Sequence, residues 1–141
     1  SGKGQIKAED IKELLGLVEV RLVSQFCDYL VQKKADKAVG FLNELADKGF
    51  DLQEFAKALI NYLRQALIMK IMGLKEANPI IVGLTKEELE KLGQQAESFQ
   101  EPELRKTLNL FLEAENKMKY ASILQLPLEL AIVEATGLTS E

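Results

Sequence analysis

Histidine is absent from this sequence. With it go imidazole general bases, imidazole metal ligands and every Ser–His or Cys–His nucleophile pair. Cys27 is the single cysteine. It cannot close an intramolecular disulfide or build a thiolate zinc site, and such sparing use of cysteine suits a reducing cytoplasm. No apolar run reaches the length of a membrane span, and no basic-then-apolar start resembles a signal peptide. The phosphate-loop pattern G-x-x-x-x-G-K-[ST] is missing: Gly2-Lys3-Gly4 lacks the spacing and follows no strand. Positive charge is also in deficit. Lys and Arg number 18 against 22 Asp and Glu, a net charge of −4, which argues against a duplex-binding surface. Catalysis would have to rest on carboxylates, Lys or Tyr alone. The residues therefore give no catalytic site, no cofactor site and no metal site to expect.

What the sequence does contain is helical periodicity. Hydrophobic residues make up 47% of the 141, enough for one domain to bury a core without covalent staples. Ile11, Leu14 and Leu15 mark a short first helix ending near Gly16. Val23, Phe26, Cys27, Leu30 and Val31 stand at i, i+3, i+4, i+7 and i+8, the stripe of an amphipathic helix. Ala35, Ala38, Val39, Leu42 and Leu45 repeat it, and Gly49 reads as the stop. Asp51 is a good N-cap for the longest helix, whose stripe runs from Leu52 through Leu59 and Leu67 to Ile71. Gly73 begins a break, and residues 73–83 read as a loop with Asn78-Pro79 as the turn signal. Thr85 and Glu88 form a capping box, with Leu84 and Leu89 at the staple positions. Leu89, Leu92, Ala96 and Phe99 line that helix. Leu104, Leu108, Phe111, Leu112 and Met118 line the next. Pro127 fits the start of a last helix that Gly137 terminates. The expectation is an all-α bundle of six to seven helices.

Polar residues offer little chemistry. Cys27 sits on an apolar stripe and reads as a small buried hydrophobe. Glu113 and Lys117 read as an i, i+4 pair on a solvated face, not as an acid/base couple. The stretch Leu124 to Leu138 differs: LQLPLELAIVEATGL carries only Glu129 and Glu134 as charges. Leu128, Ala131, Ile132 and Ala135 define one face, and Leu130 and Val133 fall outside it. A helix apolar nearly all round is buried on more than one side. It is either a central core helix or one shared with a partner. Ile80, Ile81 and Val82 form a second apolar patch.

The order of three stretches resembles the C-terminal part of the bacterial DNA polymerase III gamma/tau family, over almost the whole chain from about residue 6. They are DIKELLGL from Asp10, NELADKGFDLQEF from Asn43 and LPLELAIVE from Leu126. The resemblance implies a division into residues 1–16, the end of the lid domain of an AAA+ module, and residues 17–141, a helical collar domain for oligomerisation. The family's ATP site and four-cysteine zinc module have no matching positions here, so the ATPase belongs to the parent subunit and not to this fragment. The implied role is a cytoplasmic scaffold in DNA replication. It joins other clamp-loader subunits (gamma/tau copies, delta and delta prime) without contacting nucleic acid or membrane itself. Candidate interface residues are Phe111, Leu112, Leu124, Leu126, Leu128, Leu130, Ile132 and Val133. The alternative is a free-standing helical adaptor that binds a peptide or partner helix in a groove.

Overall fold

The computed structural model describes residues 18–73 and 81–137. The expected helix around Ile11 to Leu15, the segment 1–16 and most of the 73–83 loop lie outside them. The described residues form six helices and no strand. They are α1 (Val20–Val31), α2 (Ala35–Asp47), α3 (Leu52–Met72), α4 (Lys86–Ser98), α5 (Glu101–Met118) and α6 (Leu126–Ala135). The all-α bundle expected from the periodicity is what the chain adopts.

Local chemistry sets the boundaries. Asp51 Oδ1 accepts from the backbone N–H of Gln53 and Glu54, at 3.0 and 3.2 Å, and so caps α3. The Thr85–Glu88 capping box is complete in both directions at the start of α4. At the end of α2 the N–H of Phe50 bonds to Leu45 O and that of Gly49 to Ala46 O, both at 3.0 Å. This Schellman closure needs a left-handed residue, and Gly49 supplies it with φ 88°. The same closure ends α1, but there Lys33 takes the left-handed position with φ 60°. Phe99 lies just beyond α4 in extended conformation, so the α4–α5 corner turns on Phe99 and Gln100 before Pro102 enters the first turn of α5.

The core is aromatic at its centre. The ring of Phe26 meets Phe55 edge-on at 5.4 Å and Phe111 at 6.0 Å, with Phe41 at 6.3 Å. These rings come from α1, α2, α3 and α5, which therefore share one core. Helix α3 packs on α5, α4 and α1, while α6 packs on α5 and α2. The periodic stripes locate this core with two corrections. Ile71, expected to extend the α3 stripe, is 68% exposed, because helical geometry sets it round α3 from Leu63, Ala66 and Met69, the residues that the neighbouring helices cover. Leu112, expected on the α5 stripe, is 46% exposed, because α5 turns Thr107 and Ala114 inward with Phe111 and leaves Leu112 outside that arc.

A buried polar network ties α4 to the bundle. The Tyr62 hydroxyl donates to Gln95 Oε1. Gln95 Nε2 donates to Ser24 O at 2.9 Å and to Asp28 Oδ1 at 2.8 Å. Lys91 Nζ donates to Asp28 Oδ2 at 2.7 Å. Lys70 Nζ donates to Ala96 O at 3.0 Å and satisfies one of the free C-terminal carbonyls of α4.

Candidate subunit interface

Helix α6 is short, and a ten-residue helix is marginal alone in water. Packing holds it in place. Leu128, Ala131, Ile132 and Ala135 recur at helical spacing and are buried against the rest of the chain. Asn43 Nδ2 on α2 donates to Glu129 Oε2 at 2.9 Å and to Val39 O at 3.0 Å, fixing the rotation of α6 about its axis. The Thr136 hydroxyl donates to Ile132 O at 2.8 Å and closes the end.

The opposite face of the same helix is also apolar. Leu126, Leu130 and Val133 stand at i, i+4 and i+7, on the side turned away from Leu128 and Ile132. Leu130 is 59% exposed, Leu126 is exposed and Val133 is half-buried. The α5–α6 connection extends this surface with Tyr120, Ile123 and Leu124, all exposed. A shallow cavity of about 270 Å³ runs beside Leu130 between α5 and α6, rimmed by Glu113, Lys117 and Glu134.

The eight expected interface residues therefore separate by position. Phe111, Leu128 and Ile132 are in the core of this chain. Leu124, Leu126, Leu130 and Val133 gather on the outer side of α6 and its approach. Leu112 is exposed, but helical geometry puts it on the side of α5 away from Leu110 and Ala114, the residues that face α6. Tyr120 and Ile123 were missed by the sequence reading. They belong to no periodic stripe, and only their place between two apolar helices hints at them.

Polar chemistry elsewhere is sparse. Cys27 is fully buried, and burial, with Asp28 alongside, pushes its thiol up to about 12. Burial also pushes the Tyr62 phenol up. Both groups hold their protons at neutral pH. Glu113 and Lys117 are exposed. Among the described residues no group of three or more His, Cys, Asp or Glu is placed to hold a metal ion, and no helix is long and apolar enough to cross a membrane.

The chain matches the family described as DNA polymerase III subunits gamma and tau domain III over residues 6–140. It belongs to that family. No curated protein matches the chain. As a gamma/tau domain III, the chain is part of a subunit of the replicative polymerase assembly, and all six described helices fall within the matched stretch.

Proposed function

We propose that this domain III is a scaffold that joins clamp-loader subunits through the outer face of α6. The observation that carries the reading is the double-sided apolar character of α6: its own chain covers the Leu128–Ile132 face and leaves the Leu126–Leu130 face in water. Exposed apolar patches of this kind mark contact surfaces. Fully burying a Leu or Ile side chain contributes about 1.5–3 kcal/mol, so a few of these residues sustain association.

In this role the domain performs no bond chemistry. It holds ATPase modules carried elsewhere in the subunits at fixed positions around a common axis. Nucleotide-driven movements of those modules then act on the sliding clamp, not on the joints between subunits. The partners on this reading are other gamma/tau copies and the delta and delta prime subunits, in the cytoplasm. A rigid core with caps at its helix ends suits such a joint.

The test is Leu130→Asp and Leu126→Asp, one at a time, in the full-length subunit. Both side chains are exposed, so the variants keep wild-type circular dichroism and melting temperature. They fail to co-elute with the other loader subunits. Normal assembly by both would rule the reading out. Ile132→Asp is the contrast: it puts a charge into the core and unfolds the domain itself.

A further inference from the structure

Helix α4 is fastened differently from the rest of the bundle. It buries three side chains, Leu92, Gln95 and Ala96, where the other described helices bury four to nine, and one of its three is polar. It packs chiefly on α3 and α1. Polar bonds supply much of that seam: Gln95 reaches Tyr62, Ser24 O and Asp28, Lys91 reaches Asp28, and Lys70 reaches Ala96 O. Gly93 and Ala96 offer α3 little side chain to pack on, and a cleft of about 700 Å³ opens there beside Met69. Gly93 also weakens α4 from within, since a helical glycine gives up more backbone freedom than any other residue.

Both ends of α4 are independent of its neighbours. The Thr85–Glu88 box caps its start within its own first turn. Phe99 and Gln100 follow in extended conformation, and α5 begins a ladder of its own with the N–H of Leu104 donating to Gln100 O. Phe99 is buried and anchors that corner in the core. The rings that meet at Phe26 come from α1, α2, α3 and α5, none from α4. The Asn43–Glu129 bond that sets α6 also lies between other helices. Moving α4 away therefore breaks its own seam and leaves the remaining core closed. Cys27 lies under that seam. Helical geometry sets it on α1 between the Phe26–Leu30 side, which faces the core, and Ser24 and Asp28, which Gln95 holds. Lys91 on α4 is close enough to act on its thiol electrostatically.

We infer that α4 is a releasable arm: it leaves α1 and α3 as one unit, pivoting at Phe99 and Gln100, while the other five described helices stay folded, and its departure uncovers a strip of Cys27, Tyr62, Ala66 and Met69. Local openings of this kind draw on the segments with the fewest buried apolar contacts, as α4 is here. The domain then has two mechanical parts, a fixed joint and a movable flank. The outer face of α6 belongs to the fixed part, so the arm moves without disturbing it.

The experiment is thiol labelling of the 141-residue chain with a chromogenic aromatic disulfide, in native buffer and in urea below the unfolding transition. Cys27 is fully buried and is the single cysteine, so every labelling event reports the loss of its cover. Wild-type labelling rises with urea at a slope clearly below that of global unfolding, because the open form exposes only part of the buried surface. Leu92→Ala, which loosens the attachment of α4 at a fully buried side chain, speeds labelling about thirtyfold. Gly49→Ala, between α2 and α3, lowers the global midpoint yet leaves labelling in native buffer within about twofold of the wild type. Hydrogen exchange read by mass spectrometry finds the amides of residues 86–98 exchanging at least about tenfold faster than those in the middle of α3. The inference is overturned if labelling carries the full urea slope of global unfolding, if Gly49→Ala speeds it as much as Leu92→Ala does, or if the α4 amides are as protected as those of α3.

Discussion

Replacing Gln95 by Leu is the sharpest probe of how α4 is held. Gln95 is 3% exposed, and its amide serves α1 and α3 at once: it accepts from Tyr62 and donates to Ser24 O and Asp28 Oδ1. Leucine fills similar volume and keeps none of these bonds. The Tyr62 hydroxyl, itself in a residue 3% exposed, then loses its acceptor and keeps only the Ser24 side chain as a partner, at a cost of about 1–3 kcal/mol. Asp28 loses one donor of a charge-assisted bond but keeps Lys91 and, being partly exposed, gains water. The Ser24 carbonyl keeps its intrahelical partner. The apolar side chain returns about 1 kcal/mol of burial, which leaves a net loss of up to about 2 kcal/mol. Urea unfolding of the 141-residue chain, followed by far-UV circular dichroism, measures this as a lower midpoint at unchanged slope. Adding Tyr62→Phe to Gln95→Leu removes the hydroxyl that lost its acceptor and recovers part of the loss, with a coupling of about 1 kcal/mol. A Gln95→Leu midpoint equal to wild type, or strict additivity of the two changes, would refute the account of a satisfied buried network.

Gly49→Ala meets no atom within 4 Å, so its cost of about 1–2 kcal/mol is that of holding a left-handed residue with a Cβ, read as a lower urea midpoint. Phe26→Ala removes the ring shared by four helices and costs about 3–5 kcal/mol, enough to lower the melting temperature by many degrees. The Cys27 thiol is raised in the folded state, so the stability linked to it is fully present below its ordinary value of 9.0 and is lost as pH rises toward about 12. Stability of the wild type therefore falls more steeply across that window than stability of Cys27→Ala, as followed by denaturant midpoints at a series of pH values.

The helices were legible because their burial is periodic. Leu22 to Leu30, Ala35 to Leu45 and Leu52 to Met69 each bury one stripe, and the capping signatures at Asp51 and Thr85 act within a single turn. Less legible was what depends on neighbours distant in sequence. Gln95 reads as a polar surface residue, and only the approach of Tyr62 and Asp28 makes it a core residue. Ile71 reads as core, and only the placing of the neighbouring helices, which cover the Leu63–Met69 side of α3, exposes it. The α6 surface falls between these cases. Its apolar circumference was visible, but periodicity alone does not say which arc the chain covers for itself. That depends on where α5 and α2 sit, and on the Asn43–Glu129 bond between residues 86 positions apart.

That bond also explains why a helix with so few charges keeps one on its inner flank. An all-apolar α6 could roll on α5 with little penalty, since Leu126, Leu130 and Val133 would bury as readily as Leu128, Ala131 and Ile132. Glu129 removes that freedom. Its carboxylate has a partner only when Asn43 is within 2.9 Å, which fixes the Leu128–Ile132 face inward. Rolling α6 would break a hydrogen bond to a charged group, worth about 1.5–3 kcal/mol, and press the carboxylate against apolar surface. Asn43→Ala therefore separates stability from presentation: the buried leucines still hold α6 to the bundle, while its outward arc is no longer uniquely set. The expected result is a modest drop in melting temperature with a larger loss of subunit co-elution. A drop in melting temperature with full co-elution would show that the apolar packing of α6 sets its rotation unaided.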